Sequence, residues 1–134
     1  MLAGLASWWR DRRKRRELPK RSLRVCKEGF SILREGGPTT DVRWVDVVEV
    51  IAWKRDLFTV DQICLGFRLK GHTEVVMINE DEVGWRPVLS SFKEAFPSLP
   101  PKWYGDVMQP PFALKWATIW GEPTDPDQTK VLWH

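Results

Sequence analysis

At 134 residues, 43% hydrophobic and 29% charged, the chain is long enough for one domain with a buried core and too apolar for a disordered segment. No run approaches the ~20 apolar residues that cross a bilayer as a helix, and the apolar start, Met1 to Trp9, precedes its charges, the wrong order for a secretory signal. The net charge of +3 divides unevenly: residues 1–25 hold nine Lys/Arg against Asp11 and Glu17, so a basic arm precedes a mildly acidic remainder.

Leu2, Leu5, Trp8 and Trp9 recur at helical spacing, which predicts a short helix over residues 2–16 that ends before Pro19. Ser22–Cys26 alternates as a strand, and Phe30 and Ile32 open a second. Gly36–Gly37–Pro38 is a turn, followed by Val42–Trp44 and the long β-branched run Val47–Trp53. Ile63, Leu65, Phe67 and Leu69 share one face of the next strand, with Gln62, Cys64, Gly66 and Arg68 on the other. Lys70–Thr73 makes a hairpin loop into Glu74–Asn79.

The period then changes. Trp85, Val88, Leu89, Phe92 and Phe96 lie on one helical face, with Pro87 in the first turn. Asn79 and Glu82 have capping-box spacing before Gly84. A second short helix places Trp103 and Val107 together, Leu114–Trp120 reads as a last strand, and Val131–Trp133 is expected to dock back. The expected fold is α+β: one antiparallel curled sheet of about six or seven strands, partly solvated on its outer face, covered by a C-terminal amphipathic helix and preceded by a basic N-terminal helix. The expected division is an arm over 1–21, a domain over 22–120 and a tail over 121–134.

Residues that carry chemistry are few. His72 sits in a hairpin loop with no nucleophile or orienting acid placed beside it by a local motif. Asp56 and Asp61 bracket the turn LFTV and read as strand ends rather than a catalytic pair. Glu80–Asp81–Glu82 suits the positive end of the following helix. There is no metal-ligand spacing and no phosphate loop, so the expectation is a protein without catalytic residues, metal or cofactor. Cys26 and Cys64 are expected to stay free and buried in a reducing compartment.

The arm, WWRDRRKRR, is the most specific feature. Its candidate binding residues are Trp8, Trp9, Arg10, Arg12, Arg13, Lys14, Arg15 and Arg16. One reading lays it on an anionic membrane surface, tryptophans inward and arginines on headgroups. A second grips nucleic-acid phosphate, although such an arm needs no leucines. A third leaves it solvated or docked on a protein, its own acidic domain or a partner.

In the order of its motifs, EGFSILREGG, VRWVDVVEVIAWKRD, TVDQICLGF, EDEVGW and SLPPKW, the stretch 22–120 resembles a group of small uncharacterised bacterial proteins. The resemblance implies a cytoplasmic protein, peripheral at the inner membrane if the arm binds there, with a sheet-roll domain similar to the pleckstrin-homology-like build. It implies no activity and no functional residue. The resulting expectation is a non-enzymatic binding protein whose arm contacts an anionic membrane or a partner protein. The alternative is an immunity-type inhibitor or adaptor acting through the acidic domain.

Overall fold

The computed structural model describes residues 21–57, 60–109, 116–123 and 130–131. The arm, with Trp8, Trp9, Arg10, Arg12, Arg13, Lys14, Arg15 and Arg16, and the end of the tail at Leu132 and Trp133 lie outside the described residues.

Strands β1 (Arg21–Cys26), β2 (Gly29–Arg34) and β3 (Thr40–Arg43) form a three-stranded antiparallel meander. A one-turn 3-10 helix, Trp44–Asp46, then redirects the chain into β4 (Val47–Asp56), which pairs with β5 (Asp61–Leu69) and not with β3. β5 pairs with β6 (Glu74–Asn79), α1 (Trp85–Ala95) and α2 (Trp103–Met108) follow, and β7 (Trp116–Gly121) returns antiparallel to the far side of β4. β8 (Lys130–Val131) runs parallel beside Glu74 and Val75, giving a second sheet in the order β7-β4-β5-β6-β8.

Among the described residues the fold is therefore α+β with two helices, but the expected single curled sheet is two sheets. The physical reason is the turn at Trp44–Asp46. Strand β3 ends there, and the Trp44 amide donates back to the Glu28 carbonyl at 2.9 Å, which starts β4 on a new course. The outer face is exposed along parts of β1 and β3, but not on β5. β5 is buried continuously from Gln62 to Phe67, its odd positions in the main core and Cys64 in a second cluster with Ile51, Trp53, Val75 and Met77. Gly66 is glycine because Trp53 and Val75 occupy the space above it: a Cβ there would stand 2.5 Å from Val75 Cγ1.

The main core lies between the sheets and the helices, and Trp44 is its hub. Its ring stands 5.3 Å from Phe30 of β2, 5.7 Å from Phe67 of β5, and 6.0 and 5.8 Å from Phe92 and Phe96 at the end of α1. These are tilted and edge-on contacts of the kind aromatic quadrupoles favour. Its Nε1 donates to Ser91 Oγ at 3.0 Å, so the polar end of the indole is satisfied as well. The predicted helical face is the one that packs: Trp85, Val88, Phe92 and Phe96 are buried and Leu89 is half-buried.

Both cysteines are free, as expected, but only Cys64 is buried; Cys26, the last residue of β1, is exposed. Burial pushes the Cys64 thiol up to about 11, well above the ordinary value near 8.5.

Two measurements follow from this packing. A thiol titration of the native protein at pH 8 gives one fast-reacting group, lost in Cys26→Ser, and a second that reacts only on unfolding. Trp44→Ala lowers stability by about 3 kcal/mol or more, read as a lower urea midpoint at unchanged slope, because it empties the hub between both sheets and α1.

Candidate binding surface at the hairpin end of the sheet

The chemistry of the domain gathers where β4 turns into β5. Among the described residues, the β4–β7 ladder runs as far as the pair Trp53 and Trp116, and the β5–β6 ladder as far as Cys64 and Asn79. Beyond the ladder, the Leu57 amide donates to the Val60 carbonyl at 2.9 Å.

The base of the hairpin is held by charge. Lys54 alternates onto the core face of β4, after Val50 and Ala52, and is buried. Its Nζ meets Asp61 Oδ2 at 3.5 Å and donates to the Met108 carbonyl, at the end of α2, at 3.3 Å. A cation there also suits the negative end of a helix. On the other face Arg55 donates through Nε to Gln62 Oε1 at 3.0 Å and through Nη2 to the same oxygen. Gln62 Nε2 in turn donates to Asp81 Oδ2 at 2.5 Å and to Asn79 Oδ1 at 3.3 Å. The hairpin is thus tied to the turn after β6.

That turn, Glu80 to Val83, is built as the Asn79/Glu82 spacing predicts. The Asn79 amide donates to Glu82 Oε1 at 3.0 Å, and the Asp81 amide donates to Asn79 Oδ1 at 3.0 Å. Gly84, at φ +92°, follows at a point where a Cβ would fall 1.9 Å from the Leu23 carbonyl oxygen. Only glycine permits that approach of β1 to the turn.

The acids around the turn have defined partners. Glu80 accepts the Ile63 amide at 2.8 Å and the Tyr104 hydroxyl at 2.6 Å. Glu82 faces Arg21 Nε at 3.2 Å. Burial raises the Glu82 carboxyl above its ordinary value and lowers the Arg21 guanidinium. For both groups lost hydration outweighs the attraction between them. Arg21 Nη2 also donates to the Met77 carbonyl at 2.8 Å, and the Leu23 amide to the Val83 carbonyl at 2.7 Å. The start of β1, where the arm joins the domain, is therefore fastened beside the acidic turn.

Asp56 and Asp61, bracketing the tip, are cross-strand partners in the β4–β5 ladder, and Asp61 pairs with Lys54. His72 is exposed at the other end of β5, with its amide donating to the Leu69 carbonyl. Among the described residues there is no group of three or more His, Cys, Asp or Glu side chains placed to hold a metal ion, and no helix is long and apolar enough to cross a membrane.

Two parts of this surface escape a reading of the sequence alone. Lys54 looks like a solvated turn residue in the string KRD, yet strand alternation from Val50 and Ala52 puts it on the core face. Tyr104 comes within reach of Glu80 only through the α2 packing. No family model, curated protein or solved structure matches the chain.

Tyr104 is the sole tyrosine, which makes its environment measurable. Burial first, then its bond to Glu80 and the negative charge of Glu80 and Asp81, pushes the phenol up to about 12. Absorbance near 295 nm is expected to show phenolate only about two pH units above the usual ~10, and Glu80→Gln to bring the midpoint down. A midpoint near 10 in the unmodified protein refutes the arrangement.

Proposed function

We propose that this protein works by binding rather than catalysis, and that its N-terminal arm contacts an anionic membrane surface. Trp8 and Trp9 are the apolar anchors, and Arg10, Arg12, Arg13, Lys14, Arg15 and Arg16 the charge contacts. The observation that carries the reading is the composition of the arm. Leucines and tryptophans precede a dense run of cations, which is the amphipathic chemistry of a headgroup boundary. The arm also joins the domain at a firm root, since Arg21 is bound to Glu82 and to the Met77 carbonyl.

A second reading has the acidic turn in its favour. Glu80 and Asp81 present carboxylates beside the exposed Tyr104, which suits an immunity-type inhibitor or adaptor facing a basic protein. In that case the arm is dispensable for the interaction.

Co-sedimentation with anionic and neutral vesicles separates the two. A truncation at residue 22 removes Arg21 and its bonds, so the arm is better tested by charge, with Arg12, Arg13, Arg15 and Arg16 each changed to Glu in the full chain. A basic side chain near an anionic surface is worth about 1 kcal/mol, so the wild type is expected to bind anionic vesicles only. The bound fraction falls at high salt, and the variant loses more than about a hundredfold in partition. A wild type that stays in the supernatant with both vesicle types ends the membrane reading.

A further inference from the structure

The edges of the two sheets are not treated alike. In the first sheet β1 is closed at its start: the Leu23 amide donates to the Val83 carbonyl at 2.7 Å, Ser22 bridges to Val83, and Arg21 is held by Glu82. In the second, β8 covers the first residues of β6. On the side of β3 away from β2, no strand pairs among the described residues.

The direction of the backbone groups on that edge follows from the ladder. The Trp44 amide donates to the Glu28 carbonyl, and a Cβ on Gly29 would stand 1.8 Å from the Val42 carbonyl oxygen. The even-numbered residues of β3 therefore turn their backbone groups toward β2, as alternation in an antiparallel ladder requires. The amides and carbonyls of Asp41 and Arg43 point outward instead. Their side chains are exposed too, on the face opposite the buried Val42. Both are lightly engaged. Asp41 accepts the Ser31 hydroxyl through Oδ1 at 2.6 Å, and Arg43 Nε stands 3.6 Å from Glu28 Oε2 in a pair exposed on both sides, which contributes little.

We infer that this edge is a self-association surface, on which β3 of a second copy pairs antiparallel about a two-fold axis at Val42. In that register Asp41 lies opposite Arg43 of the second copy, and Arg43 opposite its Asp41. Those are the residues whose backbone groups face outward, so each pair exchanges both of its N–H···O bonds. The same pairs set an aspartate beside an arginine on the exposed face, and the two-fold axis repeats the contact. A copy of this chain fits better than an arbitrary strand because the charge pattern is complementary to itself. The neighbouring registers are closed. A shift of two residues one way sets Asp41 opposite Asp41, and the other way Arg43 opposite Arg43. A shift of one sets outward groups against groups turned inward. Charges on an edge strand ordinarily discourage pairing; here they discourage the wrong registers and admit one. Val45, 76% exposed two residues beyond Arg43, adds apolar surface nearby. Whatever the arm contacts, a dimer carries two of them, and joined contacts hold one surface more tightly than either alone where both reach it.

The full chain is followed by sedimentation equilibrium and by amide hydrogen exchange over a range of concentrations. The mass is expected to rise toward twice that of one chain, with a dissociation constant on the order of 100 µM, as suits a short contact. As it rises the Asp41 and Arg43 amides become protected, whereas the Val42 amide, directed at β2, is protected throughout. Asp41→Arg alone, or Arg43→Asp alone, sets like charges opposite each other and is expected to weaken the dimer about tenfold or more. Asp41→Arg combined with Arg43→Asp restores the pairing in the opposite sense and returns the constant to within about threefold of wild type. Both side chains are exposed, so the urea midpoint of all three variants stays near that of wild type. A chain that remains monomeric up to about 1 mM overturns the inference. If the two outward amides exchange freely there, the edge is open; if they are protected at every concentration, a segment of the same chain covers it. A dimer indifferent to the single exchanges, or not restored by the double one, associates through another surface and overturns it equally.

Discussion

Trp44 is the constraint on which the rest of the domain depends. It sits in the single turn where the chain leaves one sheet for the other, and its ring touches an aromatic side chain from β2, from β5 and from α1. Phe96, one of its neighbours, stands edge-on to Trp120 of β7 at 4.5 Å, and Phe92 reaches Trp103 of α2. Through these few rings every layer is packed against every other. Two small sheets with no shared ladder would otherwise have little to fix their angle, because neither a meander of three strands nor a short helix buries enough area alone.

Buried charge supplies what the aromatics cannot, which is register. Glu49 is buried near the start of β4, where Oε1 accepts Arg68 Nε of β5 at 3.0 Å and Oε2 accepts the Thr118 hydroxyl of β7 at 2.7 Å. Lys54 does the same near the other end of β4, toward Asp61 of β5 and the end of α2. Each interaction gains little over an apolar substitute of equal volume, since both partners give up hydration. Shifting a strand by one residue, however, would strand an ion in the core, at a cost of several kcal/mol. The central hairpin is therefore pinned at two points along its length, and β7 is pinned with it.

These particulars explain what the sequence made legible. Alternation on β5, the helical face of α1 and the Asn79/Glu82 spacing are local properties, each decided by a period or by a cap within a few residues, and they appear as read. The separation into two sheets is not local. The sequence divides VRWVDVV into Val42–Trp44 and a run from Val47 without showing that the two belong to different sheets, and the three-residue 3-10 turn between them packs through Trp44 on Phe30, Phe67 and Phe92, which are distant in sequence. The burial of both faces of β5 was hidden for a related reason. Gln62 and Arg68 look like an outer polar face, yet their partners Asp81 and Glu49 allow one to be buried and the other half-buried. As for the surface at the hairpin end, its acids were visible in the string EDE. Their partners were not, because Arg21, Gln62 and Tyr104 come from three separate elements.

The distribution of charge and apolar surface then follows from how the domain is closed. The acidic turn after β6 must accommodate Arg21 and the entry of β1, so Glu82 is spent there and Gly84 is required by the close approach of Leu23. That places the first residue of β1 against the most acidic turn of the domain. Glu80, Asp81 and Glu82 serve Ile63, Tyr104, Gln62, Asn79 and Arg21. Of these partners only Arg21 carries a charge, so ion pairing offsets Glu82 alone, while Glu80 and Asp81 hold their negative charge on hydrogen bonds from neutral donors.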